Sequence, residues 1–245
     1  MLDLKPFEQP LNELSTPLAK SAGKTLQDIW DLVFGGFGTF VDKKRSKREK
    51  DLIDFKRSLE NEVNQIPVKN IKEPTLSIIG PALEASKYYY EEPELRNMFA
   101  KLVAGSMDDR QKIHPCFIEI IKQLSPHDAK LLTLFSENPN RPICNVLEYD
   151  NSKKDSYLIN KPNVFVSNEF PDIEANQLSL TSLDRAALIK LNFVETIHEK
   201  EAYNDLINAC NIDRLNKRIG WDKYEIVKGA AILTPLGHSF ISVCL

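Results

Sequence analysis

Three hydroxyl–proline pairs, Thr16-Pro17, Ser125-Pro126 and Thr234-Pro235, punctuate this chain and set where its helices begin. In each, a Ser or Thr oxygen can cap an orphan backbone N–H. The proline's missing N–H costs nothing at the first helical position. Ser125 to Asp128 and Thr181 to Asp184 add a carboxylate three residues after the hydroxyl, an Asp form of the capping box. Such a chain is expected to be mainly α.

The first helix is expected at about 11–34, with Leu11, Leu14, Leu18, Ala22, Leu26, Ile29, Val33 and Phe37 as one apolar stripe closed by Gly35, Gly36 and Gly38. A second helix carries Leu52, Phe55, Leu59, Val63 and Ile66 on one face and stops at Pro67. The pair predicts a helical hairpin. Residues 75–137 predict three or four short helices with Pro81, Pro93, Pro115 and Pro126 near their starts, and Tyr88 and Tyr89 as buried aromatic surface. Beyond residue 138 the pattern changes. Cys144–Tyr149 and Tyr157–Val166 read as strands, 182–191 as a capped helix, FVETI and YEIVKGAAILT as strands, and PLGHSFISVC as a closing helix. The expected architecture is an N-terminal helical hairpin and bundle over 1–112, followed by a winged-helix-like α+β domain over 113–245.

Chemistry-bearing motifs are few. Residues 21–25, SAGKT, imitate the tail of a phosphate-binding loop, but the motif's first glycine would stand at Leu18 and no strand precedes it. Gly23 falls inside a helical stripe, where backbone N–H groups are already committed. His114, His127, His198 and His238 lack metal-ligand spacing. His114 and Cys116, two apart at a helix start, point away from each other. The chain has no Gly-x-Ser-x-Gly elbow, and its acidic clusters lack calcium-loop spacing. No catalytic, cofactor or metal residue is assigned, no small-molecule substrate is identified, and the expectation is a non-enzyme.

Two segments suggest contact surfaces. Trp30, Phe34, Phe37 and Phe40 precede the basic run Lys43, Lys44, Arg45, Lys47 and Arg48. That composition suits an interfacial membrane anchor, although Asp28 and Asp31 oppose it, and the same stripe spacing suits packing on the second helix, the preferred use. In a winged helix, 182–191 would be the recognition helix, with Arg185 and Lys190 as DNA contacts opposed by Asp184. The net charge of −3 argues against a globally electrostatic nucleic-acid binder.

Cys116, Cys144, Cys210 and Cys244 are scattered, as expected of reduced thiols in a cytosolic protein. No signal peptide and no spanning segment are seen, so the expected address is the cytoplasm, with the periphery of the inner membrane as the alternative.

The block EPTLSIIGPALEASKYYYEEPELRNMFAKLVAGSMD (73–108), followed by IHPCFIEIIKQLSPHDAKLL (113–132), resembles a bacterial family named Abi-alpha, for abortive infection. AKSAGKTLQDIWDLVFG and the tail ILTPLGHSFISVC fit the same pattern, so the resemblance spans roughly residues 16–245. It implies a role in bacterial defence against phage, in which an infected cell stops growing or dies, and it brings no catalytic motif. The expected mode of action is contact with a protein partner or a second copy. The alternatives are a membrane-perturbing effector through 26–41 and 43–50, and a DNA-binding regulator.

Overall fold

The computed structural model describes residues 16–35, 45–149, 157–198, 201–211 and 223–245. Leu11, Leu14, Gly36, Phe37, Gly38, Phe40, Lys43 and Lys44, named above, fall outside that range. The chain divides into two compact units, one of residues 1–126 with 240–245, the other of residues 127–239.

The first unit is helical. Helix α1 (Pro17–Phe34) starts where the sequence places it, with Thr16 Oγ1 accepting from the Ala19 N–H at 3.3 Å. Its buried face is Ala19, Ala22, Gly23, Leu26, Trp30, Val33 and Phe34. Leu18 is half exposed, so the buried stripe is turned by about one residue from the expected one. Helix α2 (Arg45–Asn64) and the turn after it bury all five expected residues, from Leu52 to Ile66. Trp30, Phe34 and Phe55 form one aromatic knot, with centroids 4.4, 5.5 and 6.1 Å apart. Each such pair adds about 0.5–1.5 kcal/mol beyond its buried area.

Helices α3 (Leu76–Ser86), α4 (Pro93–Gly105) and α5 (Cys116–Gln123) complete this unit, together with the last residues of the C-terminal helix. Pro81 lies inside α3 rather than at its start, because the helix begins a turn earlier, after Thr75. Gly80 before it has no Cβ to clash with the ring, and Pro81 faces solvent. Tyr88 is likewise exposed. Tyr90 takes the interior place and Tyr89 is half-buried, its hydroxyl donating to Lys122 O at 2.9 Å. A short bridge pairs Ile71 with Asp108. There the buried Asp108 carboxylate accepts from Arg110 Nε at 2.9 Å and Nη2 at 2.5 Å. That hydrogen bonding holds Asp108 below the usual carboxylate range against the opposing effect of burial.

The second unit is α+β. It comprises α6 (Pro126–Glu137, from His127 on), β1 (Asn140–Tyr149), β2 (Tyr157–Val164), α7 (Ile173–Arg185), β3 (Ile189–Asn192), α8 (Asn204–Cys210), β4 (Lys223–Leu233) and the start of α9 (Pro235–Cys244). The four strands form an antiparallel sheet in the order β2-β1-β4-β3. Gly229 on β4 is required by close approach: a Cβ there would meet Asn192 O at 2.6 Å.

The expected helix over 182–191 is replaced by two elements. Helix α7 starts earlier, capped by Asp172 Oδ1 on the Ala175 N–H, and 182–185 is its last turn. Ser182 donates to the buried Asp128 carboxylate at 3.1 Å instead of capping a helix. Ala187, in the left-handed region at φ 57°, ends α7. Leu188 N–H donates to Leu183 O at 3.0 Å and Ala187 N–H to Asp184 O at 2.9 Å, a Schellman stop, and both leucines are fully buried. The chain then runs straight into β3. FVETI (193–197) is not a strand; pairing to β4 ends at Asn192.

Within this unit the buried Asn176 ties the β2–α7 connection. Its Nδ2 donates to Phe165 O at 3.0 Å and Phe170 O at 2.9 Å. That use fixes the amide's orientation, so its Oδ1 accepts from His127 Nε2 at 3.0 Å, and His127 carries its proton on Nε2.

Ala187→Gly removes the left-handed cost and should raise stability by about 0.5–1 kcal/mol, seen as a higher urea midpoint. Asn176→Ala strands the Phe165 carbonyl and leaves Phe170 O with only the Ser167 N–H, and should cost about 1–3 kcal/mol in the same assay. Because Asp108 is depressed, its ion pair stabilises above the ordinary carboxylate pKa, and that contribution is lost as pH falls through the lower folded value. Urea titrations should therefore find Arg110→Met destabilised at neutral pH, with the deficit shrinking on acidification.

Candidate functional site

Among the described residues, those singled out as contacts from the sequence do not converge. Trp30 and Phe34 have no exposed surface and point into the aromatic knot with Phe55. Arg45, Lys47 and Arg48 lie in the first turns of α2, where Lys47 is exposed. Arg185 sits in the last turn of α7 and Lys190 on β3, so the two exposed cations belong to different elements. Gly23 is buried in the middle of α1, and Thr25 donates to Glu73 at 3.3 Å. No phosphate loop forms there.

In the first unit a pocket of about 250 Å³ is lined by Glu62, Gln65, Lys101, Asp108, Arg110 and Ser242, among others. The Asp108 carboxylate inside it is already engaged by Arg110. Among the described residues, no group of three or more His, Cys, Asp or Glu side chains is placed to hold a metal ion. No helix among them is long and apolar enough to cross a membrane.

The most exposed apolar arrangement on a strand lies at the edge of the sheet. Strand β2 pairs with β1 on one side and has no strand neighbour on the other among the described residues. Two irregularities shape it. From Cys144↔Val164 to Val146↔Lys161, β2 spends an extra residue around Pro162 and Asn163, and another at Asn160 before Ile159↔Leu147. Such bulges bend and twist a strand away from its partner. Asn163 takes the left-handed conformation at φ 49°, its N–H donating to Asn145 Oδ1 at 2.8 Å. Bulged Asn160 donates to Glu148 Oε2 at 2.8 Å, while Tyr224 from β4 donates to Glu148 Oε1 at 2.9 Å. One carboxylate thus pins both neighbouring strands to β1.

The two halves of β2 differ. At Pro162 and Asn163 the strand is held by α7, with Gln177 Nε2 donating to Pro162 O and Asn163 Nδ2 reaching Thr181 Oγ1. At the other end Tyr157, Leu158 and Ile159 are 53%, 71% and 52% exposed. Tyr149 supports Tyr157 from β1, ring to ring at 5.7 Å. Consecutive residues on a strand face opposite sides, so apolar surface is open on both faces of this half. Exposed apolar side chains on an unpaired strand form a template for another extended segment. Such an edge can bind an extended chain.

The sequence reads this segment as a strand and assigns it no functional role. Its signal was present: Tyr157-Leu158-Ile159 breaks apolar–polar alternation, and Pro162 marks an edge. What the residues could not reveal is that β1 would leave one side of β2 without a strand.

No match to a curated protein or to a solved structure was found. The family described as abortive infection alpha matches residues 47–244, most of the chain and close to the span carried by the sequence blocks above. That family's name implies abortive-infection defence, and the chain, with its helical bundle and its edge-exposed antiparallel sheet, belongs to it.

Proposed function

We propose that this protein is a non-enzymatic component of antiphage abortive infection, working in the cytoplasm through protein contact, with the Tyr157–Ile159 half of β2 as its contact strand. The observation that carries this is the contrast within one strand. Helix α7 holds one end, while three consecutive apolar side chains stand exposed at the other. Main-chain groups along such an edge give affinity, and side chains on alternate faces give selectivity. The partner is an extended protein segment, from another protein or a second copy. The winged-helix-like description of the second unit belongs to this proposal, supported by α7 leading into the β3–β4 ladder, and serves packing and protein contact. Membrane and DNA contact have less support, since Trp30 and Phe34 are interior and Arg185 and Lys190 are on separate elements.

Lysine on an edge strand blocks further pairing. Leu158→Lys combined with Ile159→Thr should leave unfolding stability within about 0.5 kcal/mol, because both sites are surface positions. The same variant should lose protection when bacteria expressing it are challenged with phage. Undiminished protection by the folded variant would refute the contact strand. Turnover of nucleotide, nucleic acid or peptide by the purified protein, abolished by one substitution, would refute the non-enzymatic character.

A further inference from the structure

Two thiols far apart in sequence meet inside the second unit. Cys144 is on β1, and Cys210 is the last residue of α8; their Sγ atoms are 3.9 Å apart and both side chains are buried. Val146, Val164, Tyr203, Leu206 and Tyr224 pack around them. Buried cysteines usually behave as small apolar side chains, but two in sulfur contact can do chemistry that one cannot. A disulfide needs the sulfurs about 2 Å apart, so closure from this contact asks for a shift of about 2 Å.

We propose that Cys144 and Cys210 form a dithiol modification site, closed to an intramolecular disulfide by an oxidant of the peroxide class, and that closure latches α8 to β1. The two sulfurs are unequal. Either sulfur can donate across the contact; with Cys144 as the donor, that bond lowers the Cys210 pKa, with help from the nearby Lys161 charge and against burial. The same bond, with burial, holds the Cys144 proton on. Cys210 is therefore the attacking sulfur. Its thiolate displaces hydroxide from hydrogen peroxide to give a sulfenic acid, and the hydroxide takes a proton to become water. Cys144 then attacks that sulfur, and its proton leaves with the sulfenic oxygen as a second water. Two thiols and one peroxide become one disulfide and two waters.

Access comes from α8, which is only seven residues long and ends at Asn211 in the left-handed conformation. A helix this short opens locally far more readily than a whole unit unfolds. The other two cysteines are poorer thiolates, since burial pushes the thiols of both Cys116 and Cys244 up.

The test uses the reduced full chain treated with hydrogen peroxide under native conditions, followed by alkylation, digestion and peptide mapping. The expected product is one linked peptide pair containing Cys144 and Cys210, lighter by about 2 Da than the two reduced peptides. Cys144→Ser should leave Cys210 as a sulfenic acid trapped by dimedone, and Cys210→Ser should leave Cys144 alkylatable. Because the principal readout is on the unmutated chain, a misfolded variant does not blunt it. In the oxidised protein, amide exchange in α8 should slow about tenfold or more and recover with reductant. Linkage of a different cysteine pair, or a native chain whose Cys144 and Cys210 stay alkylatable while denatured chains cross-link, would overturn the site. Unchanged α8 exchange in the linked protein would overturn the latch.

Discussion

One carbonyl organises the second unit. Leu188 O, just past the Schellman stop of α7, accepts from the Thr234 N–H at 3.0 Å, with Thr234 Oγ1 3.1 Å away. Thr234 also caps α9, its Oγ1 accepting from the Gly237 N–H at 2.9 Å. The end of one helix, the entry to β3 and the start of another helix are thus a single hydrogen-bonded joint. Gly237 shows how tight it is, since a Cβ there would stand 2.0 Å from Leu188 O. With this joint in place, Ile189 and Leu233 fall opposite each other and the β3–β4 register follows.

The same joint shows where local sequence is informative. Thr16-Pro17 and Thr234-Pro235 announced their helices because capping is a local bond: the hydroxyl, the proline and the N–H it serves lie within four residues. Thr181 and Ser182 carry the same signature inside a helix, because Asp172 had already capped it upstream and Asp128 competes for the Ser182 hydroxyl. Ala187 gave no warning of a stop, since alanine is the residue least expected at positive φ. Its conformation is imposed by the buried Leu183 and Leu188 on either side. Pro81 misled in the opposite sense. A proline with its ring toward solvent and glycine before it can ride within a helix.

The candidate contact strand was half legible for a related reason. That residues 157–164 form a strand is written in their side chains; that they form an edge depends on β4 choosing the other side of β1, some eighty residues later. The aromatic run in α1 illustrates the converse. By composition Trp30 and Phe34 suit a membrane surface, but their stripe spacing favours packing on the second helix, and Phe55 of α2 lies against them. Family membership supplies the biological setting, and the proposed contact strand would be the means of acting within it.

The proline on β2 has a consequence for whatever docks there. Pro162 offers no N–H, and its carbonyl already serves Gln177. A guest backbone entering at Tyr157 therefore exhausts its hydrogen-bonding partners after about five residues, or ~17 Å of extended chain. Any strand that paired here would be short, because Pro162 and its engaged carbonyl close the open end of the edge.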